Sequence, residues 1–585
     1  MTEHNVGGAK QCKLGRATIG CDTNVSIQSR ERSVPPGRDD SLKRRIPLVH
    51  WSIIGALLVS AIPIVFASPP LAGASGDSLD RGNGPEPSTL DAHRCQEVAC
   101  GNVLRDLYEG LVAEGPDGAL IPGMAERWDV SSDGRMWNFH LRAGLHWSNG
   151  EPLQAWQIVA SFRRAFAPST SAPFVEQFDA LQNAQQVQQG KLPLHALGVS
   201  APDSRTIQFR LIRATPLPRL LLLPIAYPVY LPTVIRDGAQ HTRPGHLVSN
   251  GAYRLLAWTP QSAITLERST SYRNRAPIAM VRYHVTEDAG SELKRFQAGD
   301  LDITETLPPQ PVSGLRARFG SQLQISPYLG AFWLGLNLTK PPFASPPVNT
   351  NRALALRQAL SLAIDRDKLT RYITGFGEQP AFGIVPPTVS GYRPLSSTFA
   401  AMTQPQREAL AAKLYRAAGY SDAHPLTVEL RYNTSTLHRR LALAVAAMWR
   451  ETLGVHAQLR NEEWKVFVQN RRQRAITQVF RGGWIADVDD ARNFLAAFAG
   501  DGPLNWIGYR DAQFDMLIAQ ADNAADASQR NALLAQAQAR LMAEQPMIPL
   551  YFYTSKHLVK PTVHGFRANP LDHHASRFLS LDAGQ

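Results

Sequence analysis

Several common signatures are missing from this 585-residue sequence. No run of basic residues is interleaved with aromatics, so the formal charge of +12 does not mark a nucleic-acid groove and no nucleic acid is expected as a partner. The first 45 residues hold nine Lys/Arg against five Asp/Glu, which accounts for four of the twelve charges. The rest is diffuse, a field that suits an anionic membrane surface or acidic ligands and does not choose between them. There is no G-x-S-x-G, no H-E-x-x-H and no phosphate-binding loop, so neither an activated nucleophile nor a metal-activated water is signalled. His573 and His574 are adjacent rather than a helical turn apart, a poor metal pair, and neither metal nor cofactor is expected. No fixed-period repeat is present. Cysteine is scarce, four in all: Cys12 and Cys21 lie early, and Cys95 and Cys100 are the one close pair in the main body.

What the chain does have is length and oil. A single hydrophobic core stops growing near roughly 250–300 residues, so two or more lobes are expected. With 44% hydrophobic and 19% charged residues it reads as globular, and 42 prolines with 42 glycines imply many turns. Residues 46–67 (IPLVHWSIIGALLVSAIPIVFA) follow Lys43-Arg44-Arg45 and precede small residues and Pro69-Pro70, the order of an export signal with a cut after Val65-Phe66-Ala67. The stretch is long enough to span a bilayer, so an uncleaved tether to the inner membrane is the second reading, with His50 and Pro63 against it. Leu71-Ala72-Gly73-Ala74 lacks the cysteine of a lipid anchor. Residues 1–45 show no apolar periodicity and are read as disordered or as a mis-assigned start. After export Cys95 and Cys100 would meet an oxidising compartment, where close thiols pair; two small buried apolar residues are the alternative.

Periodicity then sorts the body. Residues 103–108 carry helical spacing, and residues 128–147 alternate around Ser132-Asp133-Gly134 as a hairpin. A helix is expected over residues 154–166 with Trp156, Ile158, Val159 and Phe162 on one face. Residues 206–211 and 263–267 alternate as strands, and residues 220–223 end a core helix. Residues 353–373 form the clearest helix of a second body. A strand over 426–432, a helix over 437–453 and a strand over 455–459 make a βαβ unit. At least two α/β lobes follow, and ligand sites favour the cleft between such lobes.

Nine stretches, in order, then resemble one family: STLDAH (88–93), LRDLYEGLV (104–112), WNFHLRAGLHWSNGEPL (137–153), SNGAYRL (249–255), LRQALSLAIDRDKL (356–369), RYNTSTLHRRLALAVAAMW (431–449), NEEWKVF (461–467), RGGWIADVDD (481–490) and LVKPTVHGF (558–566). The chain is similar to the periplasmic oligopeptide-binding proteins of ABC importers, the family 5 extracellular solute-binding proteins, from about residue 81 to 581. The resemblance implies an α/β, periplasmic binding protein type II-like fold of two hinged jaws with an inserted α+β domain. The first jaw would take residues 69–108, 234–336 and 554–585, the insert 109–233, and the second jaw 337–553. It implies a periplasmic, monomeric binder, not an enzyme, that closes on peptides of about three to five residues and delivers them to an inner-membrane permease.

A receptor for many peptides must hold what all peptides share: backbone amides, the α-ammonium and the carboxylate. By resemblance Asp487 is the carboxylate for the ammonium. Arg481 and His438 are partners for the ligand's carboxylate end, with Arg472 adding charge nearby. Trp484 and Trp464 line side-chain pockets, and Gln96, Glu97 and Val98, inside the Cys95–Cys100 loop, pair with the ligand backbone. Phe174 stands where a tyrosine is common. Val488 replaces an aromatic and Thr374 a lysine that can hold very short peptides, which makes dipeptide preference doubtful. A cell-wall (murein) peptide is the main alternative ligand, with a dipeptide, a nickel chelate or haem behind it. A periplasmic peptidase or a chaperone is the alternative from another class.

Overall fold

Alternation on either side of Ser132-Asp133-Gly134 folds into the expected hairpin: Ala125–Val130 and Met136–Leu141 pair antiparallel, with Gly134 at φ +68° in the turn. A computed structural model describes residues 78–344, 351–395, 398–474, 478–500, 502, 504–524 and 526–582. Residues 1–77, with the apolar stretch, Cys12 and Cys21, lie outside the described residues.

The hairpin continues through Thr206–Arg210 to Val199–Ser200 as a four-stranded antiparallel sheet. The helix Ala155–Phe166 covers it, its start closed by a capping box between Gln154 and Gln157. Ile158, Val159 and Phe162 are buried as expected, but Trp156 is 59% exposed and its indole N–H donates to Gln154 Oε1. Residues two apart on a helix do not share a face, so Trp156 cannot point with Ile158.

A second sheet runs in the order Ser78–Gly82, Met280–His284, Ala263–Arg268, Tyr253–Thr259, with the first pair parallel. Its buried Leu79, Ile264, Leu266 and Val281 share a core with Val103, Leu104 and Leu107 of the helix Val98–Leu107, and with Val559, Val563 and Leu579 from the far end of the chain. Three distant stretches of sequence thus make one core.

The third sheet has six strands, ordered Gln379–Pro380, Met547–Leu558, Leu323–Leu336, Val479–Ile485, Thr427–Asn433, His456–Glu462. The last two are parallel and joined by the helix Thr436–Leu453, the βαβ unit read from the sequence. The helix expected over residues 353–373 is broken: Asn351–Leu362 ends, and the Asp365 side chain caps a new turn by accepting from Lys368 N at 3.0 Å. Residues 220–223 likewise end only a one-turn helix, Leu217–Leu220, opened by Pro216 and Pro218.

Leu323–Leu336 is the central strand, and both its faces are covered, which is why its second half is almost continuously apolar. Phe332, Leu334 and Leu336 face a core with Leu356, Leu360 and Trp449; Leu329, Ala331 and Trp333 face another with Phe494, Phe498 and Leu534. Two glycines let it approach Val479–Ile485 closely. In the register Gly482 lies opposite Trp333 and Gly335 opposite Phe480, and a Cβ on either glycine would stand well inside contact distance of the facing ring. The first half of Leu323–Leu336 pairs with the end of Met547–Leu558 beyond a register shift between Pro327 and Ala331, and there Leu558 joins a small core with Leu301, Leu307 and Leu315. Among the described residues no helix is long and apolar enough to cross a membrane.

Gly482→Val should lower stability by about 1–3 kcal/mol through overpacking against Trp333, read as a fall in thermal unfolding temperature at unchanged expression.

Candidate functional site

The strand Val479–Ile485 alternates its side chains, and that alternation builds the site. Arg481 points to the Phe332 face and Trp484 to the opposite face, with Gly482 and Gly483 leaving room for Trp333 and the Tyr553 hydroxyl. Just past the strand the chain turns through Asp487, Val488, Asp489 and Asp490 before the short helix Ala491–Leu495.

Asn493, 7% exposed on that helix, ties the turn together. Its Oδ1 accepts from Trp484 Nε1 at 2.7 Å and from the Asp487 backbone N–H at 3.2 Å, and its Nδ2 donates to Asp487 Oδ2 at 3.2 Å. Trp484 packs in turn beside Trp506, ring centroids 6.4 Å apart.

The three acids of the turn have different lives. Asp489 meets Arg219 at 3.1 Å and accepts from Ser390 N at 2.9 Å. Asp490 caps its helix and meets Arg530 at 2.9 Å. Asp487, half-buried, has no cationic partner among the described residues. Burial lifts its pKa to about 6 and the charge of Glu176 adds to the rise, while the Asn493 hydrogen bond opposes it. Glu176 belongs to the turn opened by Phe174, which adopts φ +62°. Between the acids, Val488 is buried in the core formed by residues 111–230. With the Arg219–Asp489 pair it joins that core to the six-stranded sheet.

A second group gathers around Phe332. The Arg481 guanidinium lies 5.4 Å from the Phe332 ring and 5.8 Å from Trp464, and the His438 ring is 5.6 Å from Phe332. Trp464 is half-exposed and stacks on Phe467. Burial, with the Arg481 charge behind it, pushes the His438 pKa down to about 3, so its imidazole is neutral. Arg481 Nε and His438 Nδ1 are buried without a hydrogen-bond partner among the described residues. A cavity of about 130 Å³ beside Tyr553 is lined by Tyr328, Gln379 and Phe552.

The arginine chosen from sequence in this region, Arg472, is exposed; its neighbour Arg471 is the one turned inward. On the helix Trp464–Gln473 residue 471 is four past buried Phe467 and shares its face, whereas residue 472 is rotated away. Arg471 lies 3.5 Å from the Trp506 ring centroid, and its Nε and Nη1 have no hydrogen-bond partner among the described residues. Burial, then the charges of Arg481 and Arg472, lower its pKa to about 9.

Gln96 and Glu97 precede the helix Val98–Leu107 and Val98 opens it, all three within the loop closed by a Cys95–Cys100 disulfide. Gln96 and Val98 are exposed, while the Glu97 carboxylate accepts from Ser88 N and Oγ, both at 2.7 Å. No hydrogen bond, ion pair or ring contact joins this loop or Phe174 to the two groups above among the described residues. Thr374 is buried, its hydroxyl donating to Glu378 Oε2 at 2.9 Å. Sequence reasoning passed over Asn493 and Arg471. The i, i+4 spacing from Phe467 could have found the second, but nothing local points to the first.

Residues 119–506 match the middle region of the bacterial extracellular solute-binding proteins, family 5. The periplasmic oligopeptide-binding protein OppA of Escherichia coli K12 is 34% identical over 544 residues, 91% of this chain and 98% of that one. The probable deoxycholate-binding periplasmic protein YgiS of the same strain is 33% identical over 90% of this chain and 98% of that one, and a third relative, the periplasmic murein peptide-binding protein MppA of that strain, is 33% identical over 88% and 95%. The solved structure of the Escherichia coli murein tripeptide binding protein MppA superposes with a TM-score of 0.77 at 33% identity, over 87% of this chain and 99% of that one. All three relatives are named as binding proteins and as periplasmic. The fold is the mixed α/β, type II-like two-lobe fold of these structures. The chain belongs to family 5 of the bacterial extracellular solute-binding proteins.

Proposed function

We propose that this protein is the periplasmic solute-binding component of an ABC importer and that it holds short peptides, about three to five residues long, by their charged ends and backbone. The observation that carries this reading is Asp487, a half-buried carboxylate fixed by Asn493 and left without a cation while both neighbouring acids have arginine partners. Leaving a desolvated carboxylate unpaired is costly, and an α-ammonium is the group that removes the cost. A bile acid, ligand of one relative by its name, brings a carboxylate and no ammonium, so it leaves Asp487 unmatched.

Arg481 and neutral His438 then receive the peptide carboxylate, Trp484 and Trp464 flank its side chains, and residues 96–98 supply backbone pairing, pre-ordered by the adjacent disulfide. The jaws are residues 69–108, 234–336 and 554–585 on one side and 337–553 on the other, with 109–233 inserted. The two long strands Leu323–Leu336 and Met547–Leu558 are the crossing segments. Closure is selected because only there are both ends of the ligand paired. The protein works as a monomer, exported by residues 46–67, as signal or tether, and hands its cargo to an inner-membrane permease. It binds and does not cleave: peptides incubated with it are recovered intact, and fragments would favour a hydrolase.

One observation favours a second ligand within this reading. Arg471 is a further buried guanidinium with unused donors, more positive charge than one terminal carboxylate needs. A cell-wall peptide, which carries extra carboxylates, uses it.

Three outcomes test these assignments. Asp487→Asn should weaken tri-alanine binding at least tenfold, about 1.4 kcal/mol, by titration calorimetry, and an unaltered affinity removes Asp487 from the site. The free carboxyl titrates at about 6 and a bound ammonium lowers that value, so the bound state holds fewer protons. Affinity should therefore be highest near neutral pH, below the roughly 7.7–8.0 at which an α-ammonium loses its proton, and fall as pH drops through about 6; a flat profile on the acid side counts against the pairing. Arg471→Met should spare tri-alanine binding while weakening a murein tripeptide several-fold, and equal effects on both ligands dismiss the second reading.

A further inference from the structure

His557, Asp572 and His574 come together from separated parts of the chain, outside every residue assigned above to the peptide. His557 is the penultimate residue of the strand Met547–Leu558, and the other two lie in the C-terminal segment that follows. The adjacent pair His573-His574 is split by the fold. His573 turns to Glu114 and Arg105, and His574 turns to Asp572. Spacing along the chain therefore said nothing of this cluster.

Both imidazoles converge on one carboxylate. His557 Nε2 lies 2.9 and 3.1 Å from the two Asp572 oxygens, and His574 Nε2 lies 3.0 Å from Asp572 Oδ1. One donor atom from each residue falls within 4.8 Å of the others. His557 is 5% exposed, and the side chains of His574 and Asp572 are 5% and 14% exposed.

The surroundings hold the three donors in place. His557 Nδ1–H donates to the Thr304 carbonyl at 2.8 Å, which leaves Nε2 aimed at the cluster, the outer-shell arrangement of metal-binding histidines. The His574 ring stacks on Phe566 at 3.9 Å, and its carbonyl accepts from Arg81 Nη1 at 2.8 Å. Asn569 braces the turn, accepting from Leu571 N and donating to the His573 carbonyl, and Asp572 sits in it at φ +58°.

We propose that His557 Nε2, His574 Nε2 and an Asp572 oxygen form a site for a divalent transition metal ion, zinc by preference. Two imidazoles and one carboxylate suit Zn²⁺, whereas Ca²⁺ and Mg²⁺ want oxygen ligands throughout. Bonds of roughly 2.0–2.2 Å in tetrahedral geometry place ligand atoms about 3.3 Å apart, so the two histidine–Asp572 separations need to open by only a few tenths of an ångström, and the two imidazole nitrogens already lie within 4.8 Å of each other. Water takes the fourth position. The ion replaces the protons that now bridge the imidazoles to Asp572 and ties the C-terminal segment to the end of a crossing strand.

The test uses tag-free protein stripped with EDTA and titrated with Zn²⁺ alone at neutral pH. One equivalent should bind with micromolar or tighter affinity, and His574→Gln should lose that equivalent or weaken it at least tenfold. Any equivalent that His574→Gln keeps at full strength belongs elsewhere. Equal stoichiometry and affinity in the two proteins, or no uptake by the wild type, overturns the proposal. Anomalous scattering at the zinc edge from wild-type crystals does not depend on the variant folding. It should peak among the three donor atoms, and an empty cluster in zinc-loaded crystals rejects the site.

Discussion

The interlock of Trp333 with Gly482 and of Phe480 with Gly335 fixes how the central strand meets its neighbour, and the site is a consequence of that fit. Each aromatic occupies the space a side chain on the opposite strand would need. The register cannot slip by one residue without driving a ring into a backbone or turning every side chain to the wrong face. Arg481 and Trp484 inherit their opposite directions from it, and Asp487 inherits its position at the strand's end. Packing inside the sheet therefore sets the placement of charge outside it.

That placement is uneven in a telling way. Around Asp487 the acids are sorted into those with arginine partners and one without, and around Phe332 the bases lie on aromatic rings with donors unspent. Interiors ordinarily satisfy such groups, so a cluster of unsatisfied ones of each sign is what the proposed ligand-binding reading rests on. The depressed His438 and Arg471 values and the elevated Asp487 value have one leading cause, desolvation of a charge without a partner.

Much of this could be read from the sequence, and the losses have physical reasons. The hairpin at Gly134, the Ala155–Phe166 helix and the βαβ unit around Thr436–Leu453 follow from local periodicity and turn chemistry. Apolar character alone puts Trp156 on the buried face, but its position two residues from Ile158 forbids that. The long helix over residues 353–373 concealed a cap at Asp365, because an aspartate inside an apolar pattern looks like any surface residue until its side chain is seen to accept from Lys368 N. Family likeness points to Asp487, Trp484 and Arg481 through the intact RGGW and IAD residues, and the structure places Arg472 on the exposed face of its helix while Arg471, in phase with Phe467, is buried. Asn493 and the His557–Asp572–His574 cluster were out of reach, since each is defined by partners that only tertiary structure supplies.

Asn493 serves two masters with one amide, steadying the Trp484 indole with the oxygen that also receives the Asp487 backbone N–H, and the Asp487 carboxylate with the nitrogen. Under the proposed peptide reading, selectivity for a ligand side chain and grip on a ligand terminus are coupled through this single small residue. On that reading, redesigning the aromatic wall to admit a new cargo would loosen the anchor as well, and a variant library that holds Asn493 fixed while varying Trp484 would trade affinity for every gain in breadth.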